Sequence, residues 1–570
     1  MTTNNDGWRG RSPVAFECQK IGGSGAAVVV TNHPLATEAG AEVLEAGGNA
    51  IDAAVASLFA LTVVEPMMVG IAGGGIAHVR TAAGEHHIID AISTAPAGTH
   101  ETTFEPTNAT PSNPMEVAGK KNELGATSVA VPGNLMGWTS LHEKLGRLPL
   151  ADLLAPAIDH AAEGFEATPY LSGAVHECAE DFAKDATIAS VFMPGGTPVA
   201  AGQRVTQSEY AETLKLIAKE GAKALHGGEV GTALADAVSA GGGWLSKADL
   251  ENYAIALREP IAGSYRGYDV FGPPPPASSG VHVLQMLNII ENADVAEMGF
   301  GTPEAVRLLV QTISTAMRDR SAASGDPAFV DVPVARYTSK AYAKACFDTL
   351  GLRAGPLSAA AHEGAHTTHV TIADRDGNVV SATHTINGTF GARFMVPGAG
   401  IIPNNYMVNF DPNPGRALSI APGKRVPTSM APIIATRGGR PAFALGLPGG
   451  IRIMPCAFQG IINMVDHGMS VQEAVEAPRV WTDGHSIEIE ESYGEAAADA
   501  VGAPGDGAQR VQTIGGGMTA ILFGADGSAA GGACWRADGT VIGYGGGLAK
   551  PGVRFWPGAA ASSKGANGSA

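Results

Sequence analysis

The sequence predicts an α/β protein, and three observations carry that prediction. Short clusters drawn from its 76 glycines and 36 prolines punctuate apolar segments, as the tight connections of a layered fold do. A β-branched run, VVVTNH at 28–33, passes directly into Ala-rich segments of helical character. Two more such runs, TTHVTIAD at 367–374 and VVSATHTI at 379–386, flank the turn dipeptide Asp376-Gly377.

After the first strand, ATEAGAEVLEAGG and NAIDAAVASLFALTVVEP read as two helices parted by Gly47-Gly48, and the second is apolar on nearly every side, which predicts burial. Positions 130–330 read as mainly helical, from the three-and-four apolar spacing of ADLLAPAIDHAAEGF, YAETLKLIAKEGAKAL and PEAVRLLVQTISTAMRDRSAAS. GPPPPASSG at 272–280 interrupts them and reads as extended polyproline. RAGPLSAAAHEGAH at 353–366 is small, polar and aperiodic, hence an exposed loop. From 367 to about 555, strands and turns alternate with two helices, the clearer being MPCAFQGIINMVDHGM, and the tail from about 557 reads as disordered.

A chain of 570 residues with 45% hydrophobic content can bury a large core. Its 37 Lys+Arg against 55 Asp+Glu give a net charge of -18, which repels phosphate backbones and anionic membrane surfaces. Small molecules are therefore the expected partners, with no nucleic acid and no membrane. The 5 cysteines (Cys18, Cys178, Cys346, Cys456, Cys534) form no C-x-x-C pair and read as buried thiols. The N-terminus lacks a basic stretch followed by an apolar core, and no run of about 18 apolar residues occurs, so the expectation is a cytoplasmic protein without a transmembrane helix.

A threonine hydroxyl is almost fully protonated at neutral pH and needs a base beside it to act as a nucleophile. A freed α-amino group, with a reference pKa of about 7.7–8.0, is such a base and is covalently fixed next to its own hydroxyl. An irregular small-residue loop running straight into Thr367 at the start of a strand suits a chain break between His366 and Thr367. Plain β-propensity is the competing reading of Thr-Thr there.

Six blocks in order, TNHPLATEAGAEVLEAGGNAIDAAVASLFALTVVEPMMVGIAGGG, GPPPPASSGVH, DRSAASGDPAFVDVPV, TTHVTIADRDGNVVSATHTINGTFG, VPTSMAP and LPGGIRI, resemble the γ-glutamyltranspeptidase family over nearly the whole chain. The resemblance implies a four-layer αββα sandwich of the N-terminal-nucleophile hydrolase type. It further implies autocleavage into a large chain, 1–366, and a small chain, 367–570, that stay together. By position it makes Thr367 the nucleophile, Thr385 the residue that orients it, and the N–H groups of Gly449 and Gly450 the oxyanion hole. It also places Asn387, Thr428 and Ser429 at the substrate. No metal or other cofactor is implied.

Two departures bear on the substrate. Where the family carries an arginine that clamps the glutamate α-carboxylate, this chain has Ile92, within Asp90-Ala91-Ile92-Ser93-Thr94-Ala95-Pro96. Where a Gln and an Asp receive the α-ammonium, it has Tyr406 and Asn409. Losing one partner of a desolvated ion pair costs about 2–5 kcal/mol, so γ-glutamyl recognition is expected to weaken by orders of magnitude. An acyl group without an α-amino function, such as glutaryl, suits Tyr406 and Asn409 better. NNYM, PGRALSIAPGKR and GGACWRADGT are similar to the family's cephalosporin acylase branch, and Arg393 is the expected partner of a distal carboxylate.

Other patterns read more blandly. His366 and His369 could be metal ligands, but in an extended segment i and i+3 face opposite ways and no carboxylate is suitably spaced. The glycine runs at 73–75, 241–243, 515–517 and 545–547 lack the continuation of a phosphate loop, and G-x-S-x-G is absent. Arg452 reads as structural. Three functions stay open: an autoprocessed acylase for a non-γ-glutamyl amide, a γ-glutamyl hydrolase or transferase acting on glutathione-like compounds, and a non-catalytic binding protein on the same scaffold.

Overall fold

Hydrogen bonding assembles two seven-stranded antiparallel sheets, each drawing strands from distant parts of the chain. The computed structural model describes residues 7–16, 18, 23–107, 115–350, 366–501 and 508–544. The loop predicted at 353–366 (all but His366), the Gly545–Gly547 run and the tail from 557 lie outside the described residues.

The first sheet runs Thr540–Tyr544, Ala27–Thr31, Thr368–Ala373, Val379–Thr385, Gly74–Arg80, His86–Ala91, Ala256–Arg258. The second runs Gly23–Gly25, Ala529–Ala533, Thr519–Phe523, Arg440–Gly446, Ile433–Arg437, Tyr268–Gly272, Ile261–Tyr265. Val28, Val30, Ala373, Val379, Ile434, Ala444, Ile521 and Val541 form the apolar seam between them. On the far face of the first sheet lie the helices Pro34–Glu45 and Ala50–Val64, and on that of the second Ser279–Ile290, Pro303–Ala322 and Ile453–Val465. The order helix, sheet, sheet, helix is the expected αββα sandwich.

Burial on both faces explains the strand sequences. All six residues of Thr368–Ala373 and all seven of Val379–Thr385 are buried. Alternation sends Val370 and Ile372 to the helical layer and Ala373 to the seam, so Thr371 meets Thr519 across the sheets at 2.8 Å, hydroxyl to hydroxyl. The hairpin pairs Thr368 with His384, and its turn is pinned by Asp374, whose carboxylate accepts the N–H groups of Asp376 and Asn378 while Gly377 takes φ 94°. Ala50–Val64 starts at a capping box in which Asn49 accepts from Ile51 and Asp52 while Asp52 accepts from Asn49. Every residue of this helix is buried, between the sheet and the helix Leu150–Glu163.

Segments from before and after residue 366 interleave in both sheets, so a break there cuts through one core rather than between two.

The reading differs from the structure in four places. Besides the short pair Phe165–Glu166 and Arg204–Val205, three strands, Ala256–Arg258, Ile261–Tyr265 and Tyr268–Gly272, interrupt the mainly helical 130–330 region. The last two make a local hairpin over Arg266-Gly267, and the partners outside 256–272 lie at 88–90 and 434–436. The proline run is not one extended stretch: the Ala277 N–H donates to the Pro274 carbonyl, making a turn, and Ala277 bridges to Thr428. A third helix, Glu495–Val501, joins Ile453–Val465 and Val471–Glu476 in the later part of the chain. Cys18 is only half-buried, whereas the other four cysteines are buried. Among the described residues no helix is long and apolar enough to cross a membrane.

Candidate active site

The antiparallel register that pairs Thr368 with His384 carries Thr367 to the level of Thr385. Thr385 Oγ1 donates to the main-chain carbonyl of His366 at 2.5 Å and accepts the N–H of Asn387 at 2.7 Å. The accepted N–H leaves the hydroxyl proton free to point at the carbonyl, the one belonging to the His366–Thr367 peptide bond. The resemblance gives Thr385 to the nucleophile, and with that bond intact its hydroxyl is on the bond itself. Thr367 and Thr385 are each only 3% exposed, so charge forming here is poorly screened by water.

Strand Arg440–Gly446 of the second sheet ends against the same place. A Cβ on Gly446 would lie 2.1 Å from His369 Cε1, so only glycine lets the sheets approach here, and the Leu447–Gly450 turn follows at the end of the sandwich where Thr367 sits. Gly449 has φ 140°, and a Cβ there would meet Gly515 Cα at 2.8 Å. Gly450 opens a 3-10 turn, Gly450–Arg452, that leads into Ile453–Val465. Among the described residues neither the Gly449 nor the Gly450 N–H has a hydrogen-bond partner, as the first donors of a helical segment do not. Arg452 pairs bidentately with Glu488 at 2.8 and 2.5 Å and stacks on Trp481, a structural role.

His369, two residues past Thr367 on the strand it leads into, is a weak base. Burial, with His384 nearby, pushes the His369 imidazole down to about 3, and its two nitrogens lie 2.7 Å from Thr383 Oγ1 and 3.1 Å from Ser381 Oγ. Burial likewise lowers His366 from its ordinary value. Among the described residues no group of three His, Cys, Asp or Glu side chains is disposed to hold a metal ion.

The predicted substrate residues separate into groups. Asn387, at φ 82°, sends Nδ2 to Asn405 Oδ1 at 3.1 Å, and Asn405 also takes the Gly388 N–H at 2.7 Å. The Asn405 side chain thus braces the loop after Thr385, while that of Asn404 ties the segment to Ala72 and Ala130, roles the sequence reading did not single out although the Asn-Asn pair marks them. Thr428 and Ser429 are buried, and Thr428 lines a small pocket with Pro276, Ser278, Arg320, Leu418 and Pro427. Tyr406 is buried with its hydroxyl on the Gly74 carbonyl at 3.1 Å, and Gly74 is the register partner of Thr385. It packs in one apolar cluster with Ile92, Ile76 and Met407, so the two departures from the family pattern fill a common space. Asn409 is 1% exposed and its Oδ1 has no hydrogen-bond partner among the described residues.

Arg393 differs from expectation. Its guanidinium lies 2.8 Å from Asp181 and 4.0 Å from Glu177, both on helix Pro169–Phe182, so its charge is already matched and it does not stand ready for a substrate carboxylate. Sequence reading also passed over Glu65, which accepts the Thr368 hydroxyl at 2.7 Å. Its only signal was a lone acid inside the apolar run ALTVVEPMM.

Fold and site together define an enzyme of the N-terminal-nucleophile hydrolase type. The chain belongs to the gamma-glutamyltranspeptidase family, whose profile matches residues 36–544. It is 55% identical over 544 residues to the Acylase ACY 1 proenzyme of Pseudomonas sp. (strain SE83), covering 95% of this chain and 98% of that one. To the glutathione hydrolase proenzyme of Bacillus subtilis (strain 168) it is 38% identical over 486 residues, covering 80% and 81%. Among solved structures, the cephalosporin acylase from Bacillus halodurans superposes with a TM-score of 0.82 at 30% identity, covering 94% of this chain and 98% of that one. The Pseudomonas and Bacillus subtilis relatives are proenzymes, and the family's enzymes are hydrolases and transferases.

Proposed function

We propose that this chain is a self-processing acylase that cleaves an acyl amide other than γ-glutamyl, with Thr367 as nucleophile. In maturation the Thr367 hydroxyl attacks the His366 carbonyl carbon, the C–N bond breaks with a proton passing to nitrogen, and water hydrolyses the resulting ester. His366 is left as a carboxylate and Thr367 with a free α-amine. Thr385 donates to the oxygen on which charge develops in the first step.

In turnover the α-amine takes the hydroxyl proton as Thr367 Oγ1 attacks the substrate carbonyl. The Gly449 and Gly450 N–H groups hold the oxyanion, the amine leaves with the proton, and water resolves the acyl-enzyme. The observation that carries the choice of acyl group is the shared apolar packing of Ile92 and Tyr406 where the family pattern holds an α-carboxylate and an α-ammonium. Similarity to the Pseudomonas acylase proenzyme supports it. Asn409 Oδ1, buried and without a partner among the described residues, is an acceptor we assign to the amide N–H of the substrate rather than to its acyl carboxylate.

The test compares glutaryl-p-nitroanilide with γ-glutamyl-p-nitroanilide on purified enzyme. The reading predicts a higher kcat/KM for the glutaryl compound. A strong preference for the γ-glutamyl compound replaces it with the glutathione hydrolase reading that the Bacillus subtilis relative favours.

A further inference from the structure

The hydroxyl of Thr368, the residue after the nucleophile, faces away from the seam into the helical layer, where it donates to Glu65 Oε2 at 2.7 Å. Glu65 stands at the C-terminus of Ala50–Val64, with its own N–H bonded to Leu61 and its carbonyl accepting from Met68 and Val69. The same turn reaches the neighbouring strand: the Met68 carbonyl accepts the Ile386 N–H at 3.1 Å and the Met67 carbonyl accepts the Phe390 N–H at 3.0 Å. One turn therefore grips both strands of the site, on one side through a carboxyl group next to Thr367 and on the other through main-chain carbonyls just past Thr385.

Resting on the proposed function, we infer that Glu65 is a positioning residue that sets Thr367 at attacking distance by anchoring Thr368. The anchor matters most once the bond before Thr367 opens, because a strand end held only by its ladder frays and effective molarity falls steeply with small displacements. Glu65 is buried, and desolvation raises its carboxyl well above the ordinary range, with Asp538 adding to that effect and the Thr368 hydroxyl opposing it. A neutral acceptor suffices for the anchor, so glutamine replaces the side chain faithfully.

The experiment uses the full chain and its Glu65→Ala, Glu65→Gln and Thr368→Val variants, measuring the rate of precursor scission and then kcat and KM separately on the preferred amide. Thr368→Val keeps shape and removes the donor, so it tests the anchor if Glu65→Ala does not fold. The expected result is a fall in kcat of about tenfold or more in Glu65→Ala and Thr368→Val, with KM changed less than about twofold, and near-normal kcat in Glu65→Gln. Equal kcat in all four proteins overturns the inference alone. An unmodified chain that neither matures nor turns over any amide overturns the function it rests on, and the inference with it.

Discussion

The hydroxyl of Thr385 is hydrogen-bonded at 2.5 Å to the carbonyl oxygen of His366, and so bears on the bond that must open to create the enzyme. That contact ties the second strand of the hairpin to the first event in the life of the protein, before any substrate is met. It also separates the role of Thr385 in maturation from its role in turnover.

Thr385→Val keeps the shape and removes the donor. A single oxyanion donor is worth about a hundredfold or more in rate, so scission of the precursor is expected to slow by about that factor, while Thr385→Ser stays within about tenfold of the parent. A time course on denaturing gels reads both.

Gly449→Ala introduces a side chain at φ 140°, with Gly515 Cα 2.8 Å from the new Cβ. The turn must shift, and its N–H groups with it, so kcat is expected to fall by about a hundredfold or more. Comparable kcat in the variant, measured by steady-state kinetics, would remove Gly449 from the site.

Asn409→Leu removes a buried acceptor that has no partner among the described residues. Leaving such a group unsatisfied costs about 1–3 kcal/mol, so the variant is expected to unfold at a higher urea midpoint. If the substrate supplies the missing donor, KM on the preferred amide rises at least about tenfold at the same time. Gain of stability without loss of affinity would make Asn409 a packing residue.

Asp538 lies near Glu65, and burial pushes its carboxyl up to about 6 from 3.8, with the Thr168 hydroxyl pulling it down. The folded chain thus keeps a proton that the unfolded chain has released, and this group's contribution to stability falls as pH rises from about 4 to about 6. Asp538→Asn stays neutral throughout. The difference in unfolding free energy between parent and variant is expected to shift toward the variant by about 2 kcal/mol across that window, read by urea titration at each pH.

Much of this was legible in the residues. The hairpin at Asp376-Gly377, the buried helix at 50–64 and the long helix near 303–322 follow from local pattern, because period and capping are written in neighbouring residues. The strands at 256–272 were not legible, since Ala256–Arg258 and Tyr268–Gly272 also pair with remote residues, 88–90 and 434–436, and Ala256–Arg258 and Ile261–Tyr265 are sheet edges, which ask little of side chains. The site divides along the same line. Glycines at 449 and 450 and threonines at 367 and 385 stand in recognisable strings, and the structure brings each pair to one end of the sandwich. Arg393 was misread because its partners, Asp181 and Glu177, lie more than two hundred residues earlier. Glu65 was missed because its contact to Thr368 spans 303 positions and no string announces it.

The central claim is that the amine released at Thr367 is the base for its own hydroxyl. N-terminal sequencing of the smaller fragment of the active protein, alongside Thr367→Ala, tests it most directly. The account predicts a fragment beginning Thr-Thr-His-Val and a Thr367→Ala chain that stays whole and inert. An active enzyme whose His366–Thr367 bond is intact, or a Thr367→Ala chain that matures and hydrolyses amides, would contradict it.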